Sequence, residues 1–173
     1  MLIVAKNRRI LSFSKLLDVY SESCENAGKR LDPDASAMQQ RRYGEKDFCE
    51  YLDDVFFATK DATYYIWAEN DIYLSAARLE PYRDGWLLAG IETIPQHRGQ
   101  GYAGKLMNAI IASLRLEGSY KLYSHISRRN QASIRLHRSC GFDKIYDYAK
   151  FIDGTISAEA DTYLLEICKN RAE

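Results

Sequence analysis

Apolar and polar residues follow two different periods along this chain, and these periods predict its secondary structure. Short apolar runs bounded by turn residues predict strands at Leu2–Ala5, Tyr64–Trp67, Ile72–Leu79, Trp86–Thr93, Tyr120–Ile126, Lys144–Phe151 and Thr162–Cys168. Apolar residues spaced three and four apart predict helices over Phe13–Tyr20, over about Ala35–Val55 with a break near Gly44, over Leu106–Leu114 and over Gln131–Ser139. Turns are predicted at Gly28–Asp34, Glu69–Asp71 and Asp153–Gly154.

The predicted order of elements is β-α-α-β-β-β-α-β-α-β-β. This order predicts an α/β fold of the α+β kind, in which helices flank one mixed sheet. No internal repeat or low-complexity linker divides the chain, and 173 residues suit one domain with one core. We therefore expect residues 1–173 to form a single domain.

The loop between the Trp86–Thr93 strand and the next helix is the most informative stretch of the sequence. It reads Pro95-Gln96-His97-Arg98-Gly99-Gln100-Gly101-Tyr102-Ala103-Gly104-Lys105. Glycines let the backbone approach a ligand closely, and the N-terminus of a helix adds free N–H groups and partial positive charge. A strand, a glycine-rich loop with an arginine and a helix together predict a phosphate-binding site.

Two nucleotide-binding interpretations of this loop lack a confirming partner. Gly99–Gly104 fits the dinucleotide pattern G-x-G-x-x-G, but that pattern needs an acidic residue about 20 positions on. The next predicted strand is followed by Ser127-Arg128-Arg129 instead. A P-loop would need Ser or Thr after Lys105, and the chain has the apolar Leu106 there.

A third interpretation uses two motifs in order. Gln96-x-x-Gly99-x-Gly101 and Arg98-x-x-Gly101-x-Ala103 both fit Q/R-x-x-G-x-G/A, and Asn130–Phe142 fits N-x-x-S-x-x-L-[YH]-x-x-x-G-F. These stretches resemble motifs A and B of the GNAT superfamily of N-acetyltransferases, and the Leu136-His137 pair resembles the phosphinothricin-type variant of motif B. The resemblance implies the acyl-CoA N-acyltransferase fold and acetyl-CoA as co-substrate. It implies acetyl-CoA contacts from Thr93, Ile94, Arg98, Gly99, Gln100, Gly101, Tyr102, Ala103, Gly104, Lys105, Asn130 and Ser133.

Three residues are candidates for the proton transfers that acetylation of an amine requires. Glu92 is a charged residue inside an apolar strand, where it faces either a cavity or an arginine on the next strand. His125, near the end of the following strand, is the second candidate base, since histidine titrates near neutral pH. His137 stands where the resemblance implies a group that protonates or orients the leaving thiolate. Asn130 is also predicted as the N-cap of the Gln131–Ser139 helix.

The resemblance implies an enzyme that transfers acetyl directly from the thioester to an amine. It also implies an acceptor cleft walled by about Cys24–Glu45 and Tyr148–Ala160. The charges of the first segment have mixed sign, so a small amine, an amino acid and a peptide N-terminus all stay open as acceptors. The alternative is a non-catalytic module that binds acyl-CoA as a sensor or subunit, and a homodimer is left open. The proton-transfer capacity of Glu92, His125 and His137 favours the enzyme.

Composition adds limits on partners and compartment. The 24 Lys and Arg residues equal the 24 Asp and Glu residues, so bulk charge indicates neither a nucleic-acid nor a membrane partner. No apolar run approaches the roughly 18 residues of a spanning helix. The four cysteines have neither zinc-ligand nor redox spacing, which predicts no metal and reduced thiols in a cytoplasmic protein: Cys24, Cys49, Cys140 and Cys168.

Overall fold

The protein was analysed as a computed structural model, which describes residues 1–169. Its elements, in chain order, are β1 (Leu2–Ala5), α1 (Phe13–Val19), α2 (Ser21–Leu31), α3 (Ala37–Tyr51), β2 (Thr63–Glu69), β3 (Ile72–Tyr82), β4 (Gly85–Thr93), α4 (Tyr102–Glu117), β5 (Tyr120–Ser127), α5 (Gln131–Ser139), β6 (Asp143–Tyr146), β7 (Ala149–Lys150), β8 (Ile156–Ser157) and β9 (Ala160–Ile167). A π-helical turn, Leu52–Phe56, extends α3.

A seven-stranded mixed sheet forms the centre of the molecule, with the order β1-β2-β3-β4-β5-β9-β6. β4 and β5 are parallel, and every other neighbouring pair is antiparallel. The predicted mixed α/β fold is therefore confirmed. A doubly wound parallel sheet, which the dinucleotide-binding interpretation requires, is excluded.

Helices cover the sheet on both faces. The apolar stripe of α4 is buried along its whole length, as its periodicity predicts, through Leu106, Met107, Ile110, Ile111 and Leu114. On the opposite face, α1, α2 and the end of α3 enclose a second cluster with β2 and β3, which includes Leu16, Val19, Cys24, Phe56 and Tyr64. The first three helices thus lie over β2–β4 and wall that part of the sheet.

The turn predicted over Gly28–Asp34 begins only after α2 ends at Leu31, so the prediction is wrong at Gly28 and correct around Pro33. The predicted break at Gly44 is wrong, because Gly44 lies inside the continuous helix α3. A Cβ at Gly28 would lie 1.7 Å from the carbonyl oxygen of Gln40, and one at Gly44 would lie 1.8 Å from that of Cys24. The glycines therefore allow α2 and α3 to cross with their backbones in contact. The loss in helix propensity, about 1 kcal/mol for each glycine, is offset by this packing.

The predicted strand Lys144–Phe151 is divided in the structure. β6 pairs with β9, and the chain then leaves the sheet to form the small hairpin of β7 and β8. The departure is fixed by hydrogen bonds to carbonyls of the connecting residues: Thr162 Oγ1 donates to Tyr148 at 2.6 Å, and Arg128 donates to Asp147. The Asp153–Gly154 turn was predicted at the correct place, but it closes this hairpin and does not join two strands of the main sheet.

Candidate active site

β4 bends away from both of its neighbours near its C-terminal end. Against β3, Ala76 is paired with Glu92 but Arg78 is paired with Ala89, so β4 carries one extra residue, a bulge. Gly90 lies at this bulge with a φ of 58°, and the Tyr20 hydroxyl donates a hydrogen bond of 2.6 Å to its carbonyl oxygen. Pairing of β4 with β5 ends at Leu88, so the two parallel strands splay apart beyond that residue.

The splay decides which backbone N–H could bind an acyl oxygen. The N–H of Ile94 donates to the carbonyl of Leu74 at 2.9 Å, so the prediction that Ile94 could serve as this donor is wrong. Hydrogen bonding alternates along an antiparallel strand, and the N–H of Thr93 therefore points away from β3. It points to the side of β4 from which β5 has already departed. Of the two predicted donors, Thr93 remains.

The glycine-rich loop forms a cradle of backbone N–H groups at the start of α4. Gly99 and Gly101 have φ values of 76° and 81°, a region that other residues seldom adopt, and Gly101 is the N-cap of α4. Among residues 1–169, the N–H groups of residues 99–104 have no hydrogen-bond partner. Successive free N–H groups at the N-terminus of a helix fit a pyrophosphate. The residues present therefore fit the acetyl-CoA that the sequence implies.

The side chains of this loop make contacts of their own. Arg98 pairs with Glu22 of α2 at 2.6 Å and donates through Nε to the Thr93 carbonyl at 3.2 Å. Tyr102 and Lys105 both approach Glu69, at 3.3 and 3.6 Å. Arg98 therefore lies beside the splayed end of β4. Tyr102 and Lys105 direct their polar groups to the Glu69 carboxylate, and the Lys105 N–H donates to the Gly101 carbonyl at 3.0 Å. Their contact with acetyl-CoA stays a prediction.

The motif B residues lie on α5. The Asn130 side chain accepts a hydrogen bond from the Ser133 N–H at 3.0 Å, so the predicted N-cap is confirmed. His137 is 1 % exposed, and its Nδ1 lies 2.8 Å from the Ser133 carbonyl oxygen. Since a carbonyl only accepts, Nδ1 carries the proton and Nε2 bears a lone pair. Burial lowers the pKa of His137, so the ring is held neutral.

Glu92 lines a cavity of about 410 Å³ between the bulge of β4 and helices α2 and α3. The Ser23 hydroxyl donates to its Oε1 at 2.5 Å. Burial raises the pKa of the Glu92 carboxyl, while the Ser23 hydrogen bond opposes that shift. Arg78 is the arginine on the next strand that was considered as a salt-bridge partner. Among the described residues, Arg78 and Glu92 make no ion pair within 4.0 Å, so Glu92 faces the cavity.

His125 lies apart from this cavity. Its ring packs edge-on against Tyr82 and Phe151, at centroid distances of 5.4 and 5.2 Å. These two residues line a second cavity of about 590 Å³ beside the β7–β8 hairpin. Both ring nitrogens are buried without a hydrogen-bond partner in the described part of the chain, and burial lowers the pKa of His125. Glu92 thus lines the first cavity, whereas His125 packs behind two residues that line the second.

Sequence reasoning missed most of the residues that line the Glu92 cavity. Tyr20, between α1 and α2, was predicted only as part of a helix face, and Cys24 only as part of an acceptor wall. Ser23 of α2 was assigned no role. Among these missed residues, Arg78 is the one that the sequence could have identified. It is a charged residue within an apolar strand, the same feature that identified Glu92.

The splayed strand, the N–H cradle and the bordering cavity together fit the binding of an acyl-CoA beside a second ligand. The sequence matches the acetyltransferase (GNAT) family over residues 29–142. The chain therefore belongs to the GNAT family, as the two motifs predicted.

Individual relatives agree with this assignment. A stretch of 48 residues is 42% identical to the L-methionine sulfoximine/L-methionine sulfone acetyltransferase of Salmonella typhimurium, and it spans 28% of both chains. The ribosomal-protein-S18-alanine N-acetyltransferase of Escherichia coli superimposes with a TM-score of 0.62 at 18% identity, over 99% of this chain and 97% of the other. The Salmonella typhimurium protein yncA, solved with its cofactor acetyl-CoA, superimposes with a TM-score of 0.59 at 17% identity, over 100% and 98%. These two structures share the fold.

Three further observations concern residues 1–169. None of the helices described there has the length and apolarity needed to cross a membrane. This part of the chain also has no group of three or more His, Cys, Asp and Glu side chains placed to hold a metal ion. All four cysteines are free thiols, as predicted.

Proposed function

We propose that the protein is an N-acetyltransferase, which moves an acetyl group from acetyl-CoA to an amine of a small molecule or peptide by direct attack on the thioester. The observation that carries this proposal is the position of Glu92. It is one residue from the free Thr93 N–H, on the strand that leads into the N–H cradle, and it faces a cavity large enough for an acceptor. A carboxylate is thereby brought next to the expected thioester position.

The chain's own groups divide the work. The N–H groups of residues 99–104 bind the pyrophosphate, and Arg98 adds positive charge beside them. The Thr93 N–H stabilises the negative charge that develops on the acyl oxygen, a contribution of a few kcal/mol for one preorganised donor. Acetyl-CoA supplies the activated acyl group. Asn130 and Ser133, which are hydrogen-bonded to each other at the start of α5, contact the CoA arm.

Glu92 is the preferred general base. Its carboxylate accepts a proton from the incoming ammonium, and burial shifts its pKa upwards, towards the neutral range in which a base works best. His125 is the second candidate, since it has a free lone pair. It lies beside a different cavity, with aromatic rings on both sides, which makes it the weaker candidate.

His137 is proposed to position the cofactor side of the site and not to act as an acid. A general acid must carry a proton that it can give up, and the only N–H of this neutral ring is engaged with a backbone carbonyl. The thiol of CoA has a pKa near 8.5, as the cysteine thiol does, so solvent can protonate the leaving thiolate at little cost.

Cys24 lines the same cavity but is unsuited to carry the acetyl group. Burial raises the pKa of its thiol to about 12, so that it stays protonated at neutral pH. The thiolate, and not the thiol, is the nucleophile in acyl transfer. Direct transfer to the amine therefore fits the site better than an acyl-enzyme. The free cysteines of the protein also support the proposal that it acts in the cytoplasm. The single seven-stranded sheet, which includes both β1 and β9, supports the proposal of one domain.

Two measurements test the function. Acetyl-CoA should raise the thermal midpoint by the equivalent of about 2.7 kcal/mol at a hundredfold excess over Kd, whereas NADH and ATP should not. Release of free thiol from acetyl-CoA should then depend on an added amine, tested over a panel of amines and peptides. A shift with acetyl-CoA but no thiol release with any amine would indicate the non-catalytic acyl-CoA-binding module. Equal shifts with all three nucleotides would overturn the assignment.

A further inference from the structure

Arg78 is the positively charged group in the Glu92 cavity, and the proposed chemistry leaves it without a role. It lies on β3, and its register places it on the same face of the sheet as Ala76, which is paired with Glu92. Its guanidinium stacks over the Tyr51 ring, with Cζ 4.9 Å from the ring centroid, and it borders the cavity.

The hydrogen-bonding capacity of this guanidinium is unused. Its Nε is buried and has no partner, and among residues 1–169 the side chain makes neither a hydrogen bond nor an ion pair. Asp47, an exposed residue of α3, also lines the cavity, but it makes no ion pair with Arg78 within 4.0 Å in the described part of the chain. The two other nearby carboxylates are engaged elsewhere. Glu80 accepts from the Tyr51 hydroxyl at 3.1 Å, and Glu92 accepts from Ser23 at 2.5 Å. Arginine has five donors and stays charged, so leaving them unpaired in a partly desolvated cavity is costly.

A ligand carboxylate would meet this need, because its two oxygens match the planar fork of an arginine. Glu92 and Arg78 are close to diagonal neighbours across the β3–β4 pair, a relation that separates residues by about 7–8 Å. One negative and one positive group at that separation complement an ammonium and a carboxylate on the same small molecule. The other walls of the cavity are largely apolar and aromatic, with Tyr20 and Phe48 among them, and suit a side chain.

We propose that the cavity binds a free α-amino acid, with its carboxylate on the Arg78 guanidinium and its α-amine facing Glu92. This inference rests on the proposed acetyl transfer and names its acceptor class. In the reaction, the amine nitrogen bonds to the thioester carbonyl carbon and the carbon–sulfur bond breaks. The ammonium first gives one proton to Glu92, which passes it to solvent. As the amide forms, the nitrogen gives up a second proton by the same route, and the thiolate takes a proton from solvent.

The wild-type protein provides the first test, which needs no variant. The 20 common L-amino acids are screened by thiol release, and each active one is compared with its carboxamide and with the amine that lacks the carboxyl group. For L-phenylalanine these are L-phenylalaninamide and 2-phenylethylamine. A charged hydrogen-bond pair predicts kcat/KM about 10- to 100-fold higher for the amino acid than for either analogue. Equal use of all three compounds would overturn the inference while leaving acetyl transfer intact.

Variants then assign the preference to Arg78. Arg78→Met should lower kcat/KM for the amino acid by the same factor and leave kcat/KM for the decarboxylated amine unchanged. Arg78→Lys should have a kcat/KM for the amino acid between those of the wild type and Arg78→Met. The ratio of the two substrates within one preparation does not depend on how much of that protein is folded. Arg83→Met is the matched control, since Arg83 lines the second cavity. An unchanged preference in Arg78→Met would refute the role of Arg78.

Binding separates failure of the inference from failure of the enzymatic proposal. If no amine releases thiol, the thermal midpoint is measured with the same amino acids in the wild type and in Arg78→Met. A midpoint shift with an amino acid that is lost in Arg78→Met, but not in Arg83→Met, would still support the carboxylate site. No midpoint shift with any amino acid would overturn the inference, whether or not the protein acetylates other amines.

Discussion

Replacing Glu92 with glutamine tests the proposed base with little change in shape. Glutamine keeps a side-chain oxygen that can accept the Ser23 hydrogen bond, 2.5 Å long in the wild type, so the β4 bulge and the cavity wall should persist. The variant loses only the capacity to take a proton. Loss of a general base costs about 10²- to 10⁴-fold, and we expect kcat/KM at pH 7 to fall within that range.

The size of the defect should depend on pH. An alkyl amine has a pKa near that of lysine, about 10.4. Below that pH, the fraction present as free amine rises roughly tenfold for each unit by which the pH is raised. Free amine needs no base to deprotonate it. The defect of Glu92→Gln should therefore shrink by about 100-fold between pH 7 and pH 9, measured as initial rates of thiol release at saturating acetyl-CoA. A defect of constant size over this range would assign Glu92 to substrate positioning, and full activity would move the base to His125.

Stability should change in the opposite direction to activity. The pKa of Glu92 is raised in the folded protein, chiefly by burial, above the unfolded value of about 4.3. A group with a raised pKa stabilises the fold most below its unfolded pKa, and that contribution is lost as pH rises through the folded pKa. Glu92→Gln should thus be at least as stable as the wild type at pH 7–8, with the difference closing towards pH 4. Glu166→Gln, at an exposed position of β9, serves as the control for both assays.

Three further substitutions test other parts of the structure. Gly101→Ala places a Cβ in open space but at a φ of 81°, so it should cost about 1–2 kcal/mol of stability and weaken the acetyl-CoA-induced thermal shift. His137→Phe should lower kcat by less than about 10-fold, because the ring N–H already serves a backbone carbonyl; a loss above 100-fold with an unchanged thermal midpoint would restore the acid role. Gly44→Ala should destabilise by about 1–3 kcal/mol, since its Cβ would meet the Cys24 carbonyl oxygen at 1.8 Å. Gly104→Ala, with only a 3.9 Å contact, should be neutral or stabilise by up to about 1 kcal/mol through helix propensity. Equal effects of these two alanines on urea unfolding would contradict the helix-crossing argument.

The elements that could be predicted from sequence are those whose pattern is decided locally. The stripe of α4 and the cap at Asn130 follow from periodicity and from one side-chain hydrogen bond within the same helix. The errors at Gly28 and Gly44 have another origin. A glycine weakens an isolated helix, and only the contact between α2 and α3, which no local pattern encodes, reverses that expectation.

The site shows the same division between local and long-range information. The N–H cradle is contiguous in the chain, so its residues could be identified together from the sequence. The choice between Thr93 and Ile94 could not be made in that way. It depends on which of the two faces β3, and therefore on the position of a bulge that only the pairing of the strands reveals. The leaving-group role expected of His137 likewise depended on a tautomer fixed by a backbone carbonyl.

Arg78 is the residue for which more could have been inferred. Glu92 was identified as a candidate because a charge inside an apolar strand needs a partner or a cavity. The same reasoning applies to Arg78, the seventh residue of β3. From the sequence alone, a salt bridge between Glu92 and Arg78 would explain both charges, and no ligand would need to be considered. The structure removes it, because Glu92 is bonded to Ser23 and Arg78 to none of the described residues. Two opposite charges that share a cavity without pairing are better explained by a ligand that carries both complements than by either residue alone.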